Sequence, residues 1–498
     1  MPLDLISMTL FSKYNFQFII LITALYSCSG KPGENITETG GLPAIDPDYT
    51  GITIPYNIAP LNFKILEEGT AFFARFSSGS ETLIKTAGKD GNISIPGGKW
   101  KRMLEENKGN DLSIEIYSRS KNGWSQYKTI TNKIASEPID PYITYRLLYP
   151  GYESWKEIFI KQRNLGSFRE RSIIENSLVE DNCLNCHSYN NTGKSEDFLF
   201  HMRGSMGGTY FYSGGKFRKI NLKTDEMKNG AVYPRWHPSG KFVAFSSNKI
   251  VQQFHSALNK KIEVSDLESS MVIYDIGRNE IMDMDLPDKE KYLDTYPEWS
   301  PDGNYLYFCR APVAGEVFVY DSVRYDLYRV LFDPSTRKTG EVELIFNASG
   351  QGKSVSFPRI SPDGRYLVLT LHNYGCFPIW HKEADLYSID LETMQPSGMD
   401  LNSDFTDSYH SWSSNSRWLV FSSKRIDGLT ARFFISYIDE NGNSGKPFIM
   451  SQKDPEFYGR FIKSFNLPEL STLEVDVNPG RIRKSAEGKA LQAKWVDE

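Results

Sequence analysis

The sequence predicts a mainly β chain built around a β-propeller, and three observations carry that prediction. A strand–turn–strand motif recurs four times in the second half of the chain. Each copy is followed by a second hairpin, giving four strands per unit at a period of roughly 50–60 residues, the signature of a propeller blade. Tyr and Phe are abundant, with aromatic residues at 13% of the chain, which favours strands over helical bundles.

The four copies are Tyr233-Pro-Arg-Trp-His-Pro-Ser-Gly, Tyr296-Pro-Glu-Trp-Ser-Pro-Asp-Gly, Phe357-Pro-Arg-Ile-Ser-Pro-Asp-Gly and Tyr409-His-Ser-Trp-Ser-Ser-Asn-Ser, each leading into an apolar strand. The Pro-Asp-Gly turn has a mechanism: Pro presets φ, Asp bonds its own backbone, and Gly takes φ > 0. A hairpin at Gly208-Thr-Tyr-Phe-Tyr and Phe217-Arg-Lys-Ile-Asn-Leu precedes them, and Phe457-Tyr-Gly-Arg-Phe-Ile-Lys follows. Together these ends are expected to close a fifth blade, with six blades as the alternative.

At 498 residues the chain is too long for one core. Its N-terminus is a targeting segment, residues 1–28. Phe16 to Leu25 is an apolar run preceded by Lys13, too short for a comfortable membrane span. It ends in Leu25-Tyr26-Ser27-Cys28, which looks like a bacterial lipobox. That resemblance implies a lipid on Cys28, export, and an outer-membrane lipoprotein facing the periplasm or the cell surface. Residues 29–50, rich in Gly, Pro, Asn and Thr, read as a tether. Residues 51–135 carry short alternating strands between Gly, Asn and Ser clusters, with one helical stretch from Lys99 to Glu106. A small immunoglobulin-like β-sandwich acting as a spacer is expected there.

Residues 136–206 break the β rhythm. Tyr152 to Ile160 and Phe168 to Val179 carry apolar residues at helical spacing and run into Cys183-Leu-Asn-Cys186-His187. Two thiols three positions apart can add to the two vinyl groups of one haem, and the His that follows can reach the iron; this spacing is that of c-type haem attachment. A redox Cys pair would want a thioredoxin-like βαβ context, and zinc would need a second close ligand pair; neither is visible. One covalent haem c is therefore expected, with His187 as proximal iron ligand. His201 is the first candidate for the distal position, with Met202 and Met206 as alternatives, and Arg203 is a possible propionate partner. Cys309 and Cys376 either pair with each other, as an oxidising compartment allows, or pack as small apolar side chains. Residues 207–475 complete the propeller, and the charged stretch 476–498 is expected to be disordered.

The repeats resemble the WD40-like units of the TolB family, whose mark is a Trp-Ser-Pro-Asp-Gly turn, over about residues 205–475. The whole layout also resembles a group of exported Bacteroidetes lipoproteins that join a TolB-like propeller to a haem motif. That likeness rests on Tyr145-Arg-Leu, Pro150-Gly-Tyr, Asn182-Cys-Leu-Asn-Cys-His-Ser, His201-Met-Arg-Gly and Gly207-Gly-Thr. Such resemblances imply architecture more than activity. Charges of both signs are mixed, with a formal net charge of −5, so no nucleic-acid surface is expected. No Gly-x-Ser-x-Gly nucleophile motif is present, and His237, His372, His381 and His410 sit in or near strands as packed side chains; no enzyme is expected. Two functions from different classes remain: electron transfer to or from a docked protein partner, and a propeller scaffold that grips a protein or glycan while the haem is structural or sensory.

Overall fold

The computed structural model describes residues 32, 36–79, 81–88, 90–151, 157–190, 197–227, 229–257, 260–314 and 319–496. Cys28 and the targeting segment lie outside these residues.

Six sheets stand around one axis, each led by an inner strand: Cys183–Tyr189, Ala231–Trp236, Tyr292–Trp299, Ser354–Ile360, Asp407–Trp412 and Ser464–Ser471. Each inner strand neighbours the next, and the last neighbours the first. The sheet led by Ser464–Ser471 takes its other three strands, Tyr142–Leu148, Phe159–Asn164 and Glu170–Glu175, from before the repeats. This closes the ring with the C-terminal strand antiparallel to Tyr142–Leu148. We number the sheets as blades in chain order of their outer strands: blade 1 is this closing sheet, blade 2 begins at Cys183, and blades 3 to 6 carry the four sequence motifs.

Several expectations are thereby corrected. There are six blades, not five, because the hairpin Gly208–Ser213 and Lys216–Asn221 supplies the outer strands of blade 2 and does not pair with the segment after the repeats. Phe457–Arg460 is a helical turn. The stretch 136–206 is not helical. Among its described residues it forms strands of blades 1 and 2, and only Asn176–Val179 is a turn of 3₁₀ helix. The apolar spacing there serves two neighbouring strands, whose Ile160, Ile173 and Ile174 join one core, with Ile173 at a bulge. The tail is ordered as well. Asn478 caps the helix Pro479–Glu487 by accepting from Gly480 N at 2.8 Å, and Ile482 and Ala486 bury its inner face. Leu491–Gln492 and Lys494–Trp495 then pair with the outer strands of blades 2 and 3. Open sheet edges expose unpaired backbone groups, and this tail covers two of them.

The motif residues have a common mechanical task. Trp236, Trp299 and Trp412 each donate their indole N–H to the inner strand of the preceding blade, to Ser188 O, Arg235 O and Arg359 O, at 3.2 Å in every case. Three blade joints are thus tied by one repeated bond. The turns behave as read: Ser300 and Ser361 hydroxyls donate to Asp302 and Asp363, and Gly303 and Gly364 sit at φ of 76° and 77°.

The N-terminal strands make a seven-stranded and a three-stranded sheet, with the helix Gly97–Glu106 laying Trp100, Met103 and Leu104 into their core. This module is no free spacer. Its core is continuous with that of blades 1, 5 and 6, and Tyr49, Asn62 and Asp48 bond Ile449 O, Lys453 O and Lys446.

Candidate functional site

Six residues on the inner strands take positive φ: Cys186 (39°), Tyr233 (52°), Tyr296 (53°), Phe357 (54°), Tyr409 (46°) and Leu467 (52°). Each lies where the pairing of the inner strand with its neighbour shifts by a bulge. A bulge re-aims a side chain, and here all six line one small space on the axis. Tyr233, Tyr296, Phe357 and Tyr409 follow one another round the ring with centroids 4.3, 4.4 and 4.4 Å apart. Leu467 and Cys186 complete it. The space left is about 40 Å³, so the ring plugs the channel.

Cys186-His187 therefore stands in register with Tyr233-Pro234, Tyr296-Pro297, Phe357-Pro358, Tyr409-His410 and Leu467-Pro468. The cysteine motif is the inner strand of a propeller blade. The repeat is not visible in the sequence at this copy because none of its Tyr-Pro, Trp or Pro-Asp-Gly residues survives.

On one side of the plug a cavity of about 430 Å³ is lined by Trp236, Trp299 and Trp412 over a charged layer. Arg235 holds Glu298 at 2.7 Å and Glu469 at 3.1 Å, and Arg359 reaches Glu298 at 3.5 Å. Burial pushes both carboxyls up to about 7, and Arg235 works against that rise. On the other side a cavity of about 230 Å³ is lined by Cys183, Asn185, Arg146, Arg203, Lys424 and Trp380, among others. We call these the lower and upper mouths.

The predicted haem residues can now be placed. Cys183 is half-buried at the upper mouth, and Cys186 is buried in the ring. Burial raises the Cys186 thiol above its ordinary pKa, against the pull of Arg146. The His187 ring is buried beside Phe198, with centroids 6.4 Å apart. Neither of its nitrogens has a hydrogen-bond partner of normal geometry, although the backbones of Thr144 and Leu467 lie close. Burial, then Arg146, pushes its pKa down to about 3, so the ring is neutral.

His201 does not join it. His187 pairs with Phe200 and Asn185 with His201, and adjacent residues of a strand point to opposite faces. His187 faces the blade 1 side with Phe198 and Phe200, whereas His201 packs on Phe245 of blade 3 and bonds Thr209 Oγ1 at 2.9 Å. The two imidazoles cannot flank one iron in this fold. Met202 and Met206 do lie in the core on the His187 side. Arg203 stands opposite Cys183 and lines the upper mouth with it.

A covalently held haem needs both thiols and the imidazole to face one large flat space. Here Cys183 opens on one cavity, Cys186 and His187 on another of about 40 Å³, and the motif is bound into a sheet. The unpartnered His187 nitrogens suit a metal ligand, but as folded the residues do not fit a haem. Among the described residues no three His, Cys, Asp or Glu side chains gather as a metal site. Cys309 and Cys376 are both free and buried, packed as apolar side chains.

Fold and site together define a β-propeller whose channel is blocked at mid-depth and open at two mouths. No protein-family model matches the chain, and no curated protein matches it. Among solved structures it is similar to TolB from Acinetobacter baumannii, at 12% identity over 73% of this chain and 79% of that one, with a TM-score of 0.43. It is also similar to a puromycin-hydrolyzing peptidase from Mycobacterium tuberculosis, at 10% identity over 61% and 46% of the two chains, TM-score 0.37. The Dos1 propeller gives 11% identity over 56% and 66%, TM-score 0.34. Scores of this size carry no argument about activity, and the propeller is read from the sheets themselves.

Proposed function

We propose that this chain is a non-catalytic binding propeller that takes its ligand at a mouth of the blocked channel. The single observation carrying this reading is the plug: the ring of Cys186, Tyr233, Tyr296, Phe357, Tyr409 and Leu467 turns a conduit into two closed cups. Concave, partly apolar cups with a few convergent polar groups are where ligands bind. The absence of catalysis fits the serine–histidine pair at Ser356 and His372. Ser356 Oγ is buried and donates to Cys376 O, and the second His372 nitrogen meets the backbone carbonyl of Tyr374, not a carboxylate. Export and a lipid on Cys28, at the outer membrane, belong to this proposal. Cys28→Ala is expected to release the protein from the membrane fraction, since a diacyl group is a two-chain anchor; unchanged retention would remove that part.

The test of the binding reading is a thermal-shift screen of the full chain with organic anions, oligosaccharides and peptides, each hit then mapped by amide exchange. Protection at the strand ends of either mouth is expected. Hits confined to the N-terminal sandwich or the outer strands, or turnover of any hit, would overturn it.

A second reading, a c-type haem protein passing electrons to a protein partner, is favoured by the two unpartnered nitrogens of the neutral His187 ring. It requires Cys183–Tyr189 to leave the arrangement described here. Acid–acetone extraction of protein made with haem-attachment machinery separates the readings: haem kept on the chain supports the second, and colourless protein removes it.

A further inference from the structure

The upper mouth carries a combination of groups that no feature of the fold requires. Three cationic side chains, Arg146, Arg203 and Lys424, line it, and none of its described lining residues is acidic. None of the three makes an ion pair with a carboxylate among the described residues. Lys424 is 4% exposed, and its Nζ has no hydrogen-bond partner; it lies 2.9 Å from the centroid of the Trp380 ring. The nearest acid that acts on it, Asp427, is already engaged by Leu429 N at 2.8 Å and Thr430 N at 2.7 Å. Arg146 spends one end on Asn185 Oδ1, while its Nε is buried without a partner. Buried cations are expected to be paired. Two here are not, and both face the same cavity.

The rest of the wall mixes apolar side chains with neutral polar ones such as Asn185, Gln252 and Asn466. Ile158, Phe377 and Trp380 supply apolar surface to it, with one face of the Trp380 ring under the Lys424 amine. A cavity of about 230 Å³ matches the liquid volume of roughly eight waters at ~30 Å³ each, room for a body of one or two fused rings. A sugar would leave these cations unanswered, and a metal cation would be repelled by them.

We propose that the upper mouth binds a small organic anion, its carboxylate set against Lys424 and Arg146 and its apolar body against Trp380 and Ile158. Arg203, at the exposed rim, closes over the carboxylate from solvent. This rests on the binding reading above and names the ligand class of one of its two cups. Burial pushes the Lys424 amine well below its ordinary pKa; an anion beside it acts in the opposite direction, so binding is expected to take up a proton. Asp427 is the acid that favours the proton on that amine, while Arg146 and Arg203 line the same cavity as cations.

The test is calorimetry of the full chain with 2-naphthoate and with its neutral analogue 2-naphthalenemethanol. The carboxylate is expected to bind at least tenfold more tightly than the alcohol. Lys424→Met is expected to lose at least tenfold for the carboxylate only, with Arg203→Gln losing less. In two buffers of different ionisation enthalpy at pH 8, wild-type binding should show proton uptake. Equal affinity for carboxylate and alcohol, no binding at millimolar ligand, or an undiminished Lys424→Met would overturn the proposal. Should Lys424→Met fail to fold, absence of proton uptake by the wild type overturns it. Protection found only at the lower mouth defeats this inference alone, whereas protection at neither mouth defeats the binding reading itself.

Discussion

Removing the guanidinium of Arg235 tests the charged layer under the plug. Arg235 is the cation shared by Glu298 and Glu469, at 2.7 and 3.1 Å, and the side chains of all three are at most 16% exposed. Even with Arg235 in place, burial holds each carboxyl at about 7 against an ordinary 4.5. Ionising each one in the folded protein therefore costs roughly 3 kcal/mol more than in the unfolded chain. The folded state binds more protons than the unfolded state between these values, so the stability these groups supply is present at low pH and falls as pH rises from 4.5 through 7. At its steepest the fall is about 1.4 kcal/mol per pH unit for each carboxyl. In Arg235→Met Glu469 loses its counter-ion and Glu298 keeps only the more distant Arg359 at 3.5 Å, and breaking a buried pair on one side costs about 3–5 kcal/mol. Urea unfolding at pH 8 should show a loss of that order. At pH 5.5, where both carboxyls fold protonated, the loss should shrink to about half or less. Glu298→Gln with Glu469→Gln in the same chain should restore most of the pH 8 loss. A destabilisation equal at both pH values, or no rescue by the two glutamines, would refute the reasoning.

Three further outcomes follow from particular contacts. Gly303→Ala puts a Cβ about 2.5 Å from His237 Nε2 at a φ of +76°, so a loss of roughly 1–3 kcal/mol is expected in denaturant unfolding, and an unchanged midpoint would contradict the turn geometry. Deleting residues 477–498 uncovers the outer edges of blades 2 and 3 and should lower the melting temperature measurably; a silent truncation would mean that the tail does not pack. Native protein should leave Cys309 and Cys376 unreactive to an aromatic disulfide reagent until unfolded, since both thiols are buried and burial raises both pKa values; rapid reaction of either would place it at the surface.

The propeller was legible in the sequence because four blades repeat one strand–turn–strand unit, three of them with a Trp that bonds the preceding blade and three with a turn Gly at positive φ. The two remaining blades were not. Blade 1 is assembled from strands more than 280 residues apart, Tyr142–Leu148 and Ser464–Ser471, and no local pattern announces such a pairing. Blade 2 keeps the bulge at Cys186 and the order of strands but has lost every marker residue, and its Cys-x-x-Cys-His spelling points to a different chemistry. The apolar spacing in 168–179 has a simpler origin: Ile173 and Ile174, adjacent at a bulge of one strand, and Leu178 in the neighbouring turn together mimic a helical stripe. At the site, Cys183, Cys186 and Arg203 were singled out by the sequence as residues, but the place of Cys186 on the propeller axis was not. Arg146, Lys424 and Trp380 were not, because they come from blades 1, 6 and 5 and meet only across the closed ring.

The central claim is that Cys183–Tyr189 is the inner strand of a propeller blade. Amide hydrogen exchange of the full chain, read by mass spectrometry over residues 183–189 and 231–236, tests it most directly. Each of these inner strands is paired along one edge to its own blade and packed between its neighbours in the closed ring, so the account predicts protection of 183–189 comparable to that of 231–236 at neutral pH. Exchange of 183–189 within seconds, while 231–236 stays protected, would contradict it.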